Sequence, residues 1–380
     1  MRILLAIQNL KLSLGGAERF TINLAKNLIA RGNEVIIAAQ SFEEGSEKLG
    51  AKLLKIADTK NAKDPWNAYR ENLEKALSES AIKPDILLGL TQLYPQDIHR
   101  FGGGVYKKWL AIKYKKTFWL RRLFGRNKKI LEFEEKIYAP ENLRYAVAIS
   151  KMDAALLHEL YAFPKERIIT IYNGIDQEEF HNRNREEARK KLCETYKIPE
   201  EKRLVIFSAN NYRRKGLPEA VKAILKTHDP SRFALFVLGK PDKFLRFFLK
   251  IKIGKKFETR WLSHVSNPAD YYRGADLMIF PTQYDSFANV TGEALLCGLP
   301  LITTSLAGGA EMVQDGVNGF VVENNACTTK MAAALDALLD EKTLHEFSAN
   351  APDLAKELTW SRCAKEFEDL FQKVLEEKKL

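Results

Sequence analysis

The chain has 380 residues, of which 46% are apolar, and carries a formal net charge of +11. That length predicts two or three domains, and the apolar content is ordinary for a soluble globular protein with two cores. The four cysteines, Cys193, Cys297, Cys327 and Cys363, are scattered, with no CxxC and no histidine cluster. This argues against structural zinc or a disulfide framework and suits a reducing compartment. Met1-Arg-Ile-Leu-Leu-Ala-Ile7 is too short for a signal peptide, and no apolar run reaches the ~18 residues of a membrane span. A cytoplasmic protein is expected. The charge is unevenly spread: Arg100 to Lys129 holds eleven Lys or Arg and no acid, a surplus equal to that of the whole chain.

Residues 3–7 predict a strand, Leu12 to Glu18 a loop with paired glycines, and 17–31 a helix with apolar spacing at Phe20, Ile22, Leu24 and Leu28. Val35–Ala39 predicts the next strand, so the chain opens on a parallel β-loop-α-β unit. Further strands are predicted at Ile86–Leu88, Tyr145–Ile149 and Ile168–Ile171. Asn173-Gly-Ile-Asp176 is a turn signal, and a domain boundary is placed there. A second alternating series follows. Its strands are predicted at Leu204–Ser208, Ala234–Gly239, near Phe257–Leu262, and at Leu277–Phe280, Pro300–Thr303 and Phe320–Val322. Its helices are predicted at Pro218–Leu225, Val290–Cys297 and about Cys327–Leu338. An amphipathic helix over about Trp360–Glu376 closes the chain. The fold class is therefore α/β, with two doubly wound Rossmann-like domains (1–172 and 173–358) and a C-terminal helix (359–380).

The chemistry gathers at Asp285-Ser-Phe-Ala-Asn-Val-Thr-Gly-Glu293. A buried strand, a loop with an acid, and an apolar helix form the layout of a ligand site on an open α/β sheet. The amides of Phe287, Ala288, Asn289 and Val290 are expected to face an anion, aided by the helix dipole. Eight helical residues span ~12 Å, so Asp285 and Glu293 can grip the two ends of an elongated ligand with a phosphate centre, as in a sugar nucleotide. The plainer alternative is a surface helix with acids near its N-terminus. After the first strand, Gly15 and Gly16 let backbone approach a phosphate or sugar. After Leu204–Ser208, Arg213, Arg214 and Lys215 offer cations to a diphosphate; a solvated basic loop is the alternative. His99 with Gly102, Gly103 and Gly104 are candidate hexose contacts, although a surface histidine is the better expectation for His99.

Gly15-Gly-Ala-Glu-Arg19, Ala148-Ile-Ser150, Asn173-Gly-Ile-Asp176, Arg214-Lys-Gly216, the Asp285/Glu293 pair and Asp315-Gly-Val-Asn-Gly319 occur in the order found in family-4 retaining glycosyltransferases, which the chain resembles over nearly its full length. The resemblance implies a GT-B fold: two Rossmann-like domains facing a cleft, with the C-terminal helix crossing back to the first. It implies that Asp285 contacts the donor hexose and Glu293 the ribose. The first of these acids is usually Glu in the family and is one methylene shorter here. Lys215 matches the family lysine, while the family's preceding arginine falls at Ala209 or Asn210, leaving Arg213 or Arg214 to substitute. No D-x-D occurs, so no metal and no cofactor are expected; cations and helix amides would meet the leaving diphosphate. The implied reaction is front-face, retaining transfer from a nucleotide sugar.

Tyr106 to Arg126 interleaves aromatics with cations. Lys107, Lys108, Trp109, Lys113, Lys115, Lys116, Trp119, Arg121 and Arg122 predict an interfacial contact with an anionic membrane. Lys243 to Lys256, with Phe244, Phe247 and Phe248, is a second candidate. A solvated basic helix with its aromatics in the core is the alternative. Nucleic acid ranks lower because no nucleic-acid-binding fold is apparent. The chain is similar to lipopolysaccharide core glucosyltransferases through His99–Leu110. This implies UDP-glucose as donor, a lipid-linked anionic saccharide as acceptor, and a peripheral position on the inner face of the cytoplasmic membrane. A GDP-mannose or UDP-N-acetylhexosamine enzyme is the runner-up, and a non-catalytic sugar-nucleotide or lipid-binding protein is the reading from another class.

Overall fold

Strands and helices alternate along almost the whole chain. The computed structural model describes residues 1–11, 15–240, 242–263 and 265–379; Leu12, where the first loop was expected to begin, lies outside them. The chain forms two units, Met1–Gly174 with Trp360–Leu380, and Ile175–Thr359.

The first unit is a seven-stranded parallel sheet: β1 (Arg2–Ala6), β2 (Glu34–Ala39), β3 (Lys52–Lys55), β4 (Ile86–Gly89), β5 (Gln96–Arg100), β6 (Leu143–Ala148) and β7 (Ile168–Thr170), in the order 3-2-1-4-5-6-7. Its helices are α1 (Gly16–Ala30), α2 (Pro65–Glu79), α3 (Tyr106–Tyr114), α4 (Phe118–Arg121), α5 (Gly125–Ile137) and α6 (Lys151–Tyr161). The second unit has six parallel strands: β8 (Arg203–Ser208), β9 (Phe233–Leu238), β10 (Glu258–Trp261), β11 (Leu277–Phe280), β12 (Leu301–Thr304) and β13 (Gly319–Val322), in the order 10-9-8-11-12-13. Around it lie α7 (Arg185–Tyr196), α8 (Leu217–Ile224), α9 (Lys243–Ile253), α10 (Pro268–Gly274), α11 (Asn289–Leu296), α12 (Thr328–Ala337), α13 (Glu341–Asn350) and α14 (Pro352–Ala355). Both sheets are covered on two faces, which is why β1, β9 and β11 are continuous apolar runs with no alternation.

The last helix, α15 (Trp360–Lys379), returns to the first unit. Cys363, Phe367, Leu370, Phe371 and Val374 join Phe20, Leu24 and Leu28 of α1 in one buried cluster. Arg31 pairs with Glu368 at 2.7 Å, and Asn33 donates to the same carboxylate at 2.8 Å. Gly174 makes the return possible, because a Cβ there would lie 2.5 Å from the Trp360 ring.

Two expectations change. The first loop stops earlier than Glu18: α1 begins at Gly16. His99 is neither in a loop nor on the surface. It lies in β5, paired with Gly89 and Ala146, and is 6% exposed. Its ring stacks on Phe101 and meets the edge of Tyr138. It is therefore turned into the protein and not offered to a sugar. Arg100, the first of the eleven cations between Arg100 and Lys129, is also buried. It donates to Asn173 Oδ1 at 2.5 Å and lies 3.5 Å from the centre of the Phe20 ring.

Two predictions follow from this packing. Phe367 is fully buried against Phe20 and Phe371, so Phe367→Ala should destabilise the first unit by about 3–5 kcal/mol. Calorimetry should then show the first unit's transition lowered and the second unit's unmoved; the reverse pattern would refute the assignment of α15. The second concerns acid. Burial pushes the His99 imidazole from 6.5 down to about 4; a hydrogen bond with the Gly89 backbone opposes the shift, and Arg100 adds to it. Between those values the unfolded chain takes a proton that the folded chain refuses. Stability is full above about pH 6.5 and falls as pH drops toward 4, by about 3 kcal/mol from this group. His99→Gln should flatten that slope, and an unchanged slope would remove His99 as its cause.

Candidate active site

In the second unit β8 lies between β9 and β11, so the chain order reverses between β8 and β11. At such a switch point the loops leaving two neighbouring strands diverge and open a crevice beyond their carboxyl ends. The loop after β8 winds back on itself. Lys215 N donates to the Asn211 carbonyl at 2.9 Å, and Arg214 N donates to Asn211 Oδ1 at 3.1 Å. It then meets the loop after β11, where Gln283 N donates to the Arg214 carbonyl at 2.9 Å and Thr282 Oγ1 donates to it at 3.2 Å. Gly216 permits this approach. Its φ is +84°, and a Cβ would lie 1.9 Å from the Pro281 carbonyl oxygen.

The two loops bring Lys215 Nζ onto Asp285 Oδ2. Lys215 is 8% exposed, and its ammonium lies 5.6 Å from the centre of the Phe280 ring. Burial, and then the neighbouring Arg214 guanidinium, push it well below the usual lysine range; the Asp285 carboxylate works against both. Arg214 is half-buried and is itself lowered by burial, with Tyr284 opposing. Arg213 does not converge on the pair. It is exposed and reaches Asp242 at 3.4 Å.

Asp285 is held at both ends. Its N donates to the Leu306 carbonyl at 2.9 Å, its carbonyl accepts from Gly308 N at 2.8 Å, and its Oδ1 accepts from Phe287 N at 3.2 Å. The Phe287 amide, expected to face a ligand anion, thus caps Asp285. Ala288 turns the chain with φ +62°, and α11 starts at Asn289, followed by Val290. The positive end of its dipole lies at this loop. Thr291 secures the turn, with both N and Oγ1 donating to the Ala288 carbonyl. Glu293 follows one turn into α11 and is 7% exposed.

Three features escaped the sequence reading. The Ser286 hydroxyl is buried beside Asp285 with no hydrogen-bond partner among the described residues. Gly308 and Gly309 press against the start of α11; a Cβ on Gly309 would lie 1.9 Å from Thr291 Oγ1 and 2.6 Å from the Phe287 carbonyl oxygen. Paired glycines just after a predicted strand were the available signal, as at Gly15 and Gly16. Thr282 and Thr304 stitch the crevice floor, Thr304 Oγ1 donating to the Thr282 carbonyl at 2.9 Å. Among the described residues no three His, Cys, Asp or Glu side chains gather as a metal site.

In the first unit the order reverses between β1 and β4, and Gly15 and Gly16 stand after β1. Gly15 is the N-cap of α1, with φ +81°. Gly102, Gly103 and Gly104 leave the end of β5, whereas the sequence had linked them to the strand ending near Leu88. Gly102 lies against the Arg100 guanidinium, and Gly104 closes a turn with φ +78°.

The basic stretch is α3, one 3₁₀ turn, α4 and the start of α5. Lys107 faces inward, donating to the Leu160 carbonyl at 3.1 Å, and Lys108 and Trp109 are half-buried. Glu134 anchors α3 by accepting from the amides of Tyr106 and Lys107 and from the Tyr161 hydroxyl. Beyond it the surface opens. Trp119, Leu120, Leu123 and Phe124 are exposed, and Lys113, Lys115, Lys116, Arg121 and Arg122 surround them. Among the described residues no helix is long and apolar enough to cross a membrane.

Two family models match the chain: Glycosyltransferase Family 4 over residues 14–179 and Glycosyl transferases group 1 over residues 188–354. Among curated relatives, the lipopolysaccharide glucosyltransferase WaaG of Escherichia coli is 23% identical over 313 residues, spanning 81% of this chain and 82% of its own. The match spans 82% of that relative's length but only 51% of the length of the D-inositol 3-phosphate glycosyltransferase of Rhodococcus erythropolis, which is 28% identical over 235 residues. Among solved structures, that of WaaG, a glycosyltransferase involved in lipopolysaccharide biosynthesis, superimposes with a TM-score of 0.81 at 20% identity, over 97% of this chain and 99% of the other. The structure of Anabaena HepE with UDP and glucose gives a TM-score of 0.72 at 16% identity, over 98% and 100%. With a parallel-sheet crevice in each unit and a C-terminal helix returned to the first, the chain belongs to the family-4 glycosyltransferases of GT-B fold and is similar to the lipopolysaccharide core glucosyltransferases.

Proposed function

We propose that the protein is a retaining hexosyltransferase that moves glucose from UDP-glucose to a lipid-linked anionic saccharide, such as a phosphorylated lipopolysaccharide core. The observation that carries this reading is the buried Lys215–Asp285 pair at the switch point of the second unit, beside the start of α11 and Glu293. In this reading the second unit holds the donor. Lys215, Arg214 and the positive end of α11 receive the diphosphate, Glu293 takes the ribose hydroxyls, and Asp285 takes a hexose hydroxyl.

Transfer breaks the bond from hexose C1 to the phosphate oxygen and forms a bond from C1 to the acceptor oxygen on the same face. The acceptor's proton passes to the departing phosphate oxygen. Negative charge grows on the diphosphate as the bond breaks. Cations already in place stabilise that charge without reorganising, and here they do so without a metal. The solved HepE complex with UDP and glucose supports a UDP-sugar, and the WaaG relatives support the glucose and the acceptor class. The exposed aromatic and cationic surface of α4 supports a peripheral site on the inner face of the cytoplasmic membrane. Tryptophan favours the headgroup level, and each cation near an anionic leaflet adds ~1 kcal/mol.

A panel of UDP-, GDP- and ADP-sugars, read by thermal denaturation, should stabilise the protein only with UDP-hexose, by ~2.7 kcal/mol at 100 times the Kd. A shift with GDP-mannose or UDP-N-acetylhexosamine alone would replace the donor, and no shift with any sugar nucleotide would sink the transferase reading. Asp285→Asn and Glu293→Gln should each lower kcat/KM by ~10²-fold or more, with vesicle binding intact and chelators without effect. Full transfer by either variant would remove that residue from the site.

A further inference from the structure

Helix α9 buries one face and leaves an apolar face bare. Leu245, Leu249 and Ile253 enter the core of the second unit, with 5%, 4% and 2% exposure. Phe244, Phe247, Phe248 and Ile251 recur at i, i+3, i+4 and i+7 and stand 67%, 60%, 51% and 65% exposed. A helix on a soluble surface places polar residues on that stripe. The rings of Phe244 and Phe248 meet edge-on with centres 4.6 Å apart, and Phe247 lies 5.8 Å from Phe248. They therefore form one patch and not scattered exposures. Around them the segment from Lys243 to Phe257 carries six cations and no Asp or Glu.

We propose that α9 is an interfacial anchor. Its three phenylalanines and Ile251 enter the boundary between headgroups and acyl chains of an anionic lipid leaflet, and the surrounding lysines engage headgroup phosphates. This contact belongs to the second unit and is separate from the Trp119–Phe124 surface of the first. It does not rest on the donor or acceptor assigned above.

Charge selects the occupant. Docking to a second copy about a two-fold axis sets a patch against itself and would bring the same six cations together. Protein hot spots draw on Trp, Tyr and Arg, whose polar ends bond at the rim. Here the apolar group is Phe and Ile alone, and five of the six cations around it are lysines, the sixth, Arg246, lying over the Trp261 ring; this is the composition of a helix lying in a lipid interface. The anchor is also joined to the site. Asp242, the N-cap of α9, accepts from Leu245 N at 2.9 Å and pairs with Arg213 of the loop that carries Lys215. Tyr212 of that loop donates to the Gly239 carbonyl at the end of β9. A leaflet engaged by α9 therefore lies beside the crevice edge of this unit.

The test is co-sedimentation of the full-length protein with vesicles of phosphatidylcholine alone or with phosphatidylglycerol. Wild type should bind the anionic vesicles, and F247S/F248S should weaken that binding about tenfold or more. Its melting temperature should be unchanged, because both side chains are exposed. W119S/F124S, on the first unit, should lower binding separately, so that the two surfaces can be told apart. F247W should add emission that brominated acyl chains quench. The proposal is overturned if F247S/F248S binds anionic vesicles as wild type does, if W119S/F124S alone removes all binding, or if the added emission is not quenched.

Discussion

The second unit is organised around a lysine kept in a place where a lysine is costly. An ammonium taken out of water needs a partner of opposite charge, and Lys215 finds it in Asp285. Each neighbouring feature serves that meeting. Gly216 lets the first loop reach Pro281, the Arg214 carbonyl is bonded by both Thr282 and Gln283, and the Leu306–Gly308 segment grips the Asp285 backbone. A pair that cost this much to build is a poor device for stability, since a hydrophobic replacement of similar volume would serve as well or better. It is a good device for holding a cation dry, oriented and close to an anion that arrives later, because low-dielectric surroundings strengthen that interaction.

Much of this was legible from sequence where strands are apolar and glycines mark their ends. β9 and β11, and β1 and β2 beyond their exposed first residues Arg2 and Glu34, are buried and read as apolar runs. Lys215 follows the Leu204–Phe207 run of β8 and Asp285 follows β11, so these strands set their position at the sheet edge. Their contact was not legible, because it depends on β8 and β11 being neighbours, a matter of strand order and not of spacing. The Arg213, Arg214 and Lys215 run looked like one cationic group. The backbone turn through Asn211 separates it, sending Arg213 to Asp242 and Lys215 inward.

The elements not read from sequence differ in cause. β5 is Gln96-Asp-Ile-His-Arg100, a strand with four polar residues, and it has no apolar signature. Its polar groups are only partly satisfied within the protein: Gln96 donates to Leu93, Asp97 accepts from Leu87 N and pairs with Lys378, and Arg100 reaches Asn173 and the Phe20 ring, whereas Gln96 Oε1, His99 Nδ1 and Arg100 Nε are buried with no hydrogen-bond partner among the described residues. β3 is a short edge strand with one buried residue. α2 was marked by Asp64 before Pro65, an N-cap followed by proline at the first helical position. That signal was present, and Trp66, Tyr69, Leu73 and Leu77 follow it at helical spacing.

The surface aromatics acquire meaning from the architecture. In a parallel α/β unit each helix that follows a strand begins at the sheet's carboxyl edge, where ligand loops are. α3 follows β5 through Gly102–Gly104, and α9 follows β9 through Gly239. Apolar exposure placed early in such helices stays near its own unit's ligand edge. The same exposure at a helix C-terminus would fall on the opposite edge, away from the loops. Phe244, Phe247 and Phe248 occupy the first half of α9. Phe244 and its neighbours thus lie a short path from Arg213, through the Asp242 cap of α9.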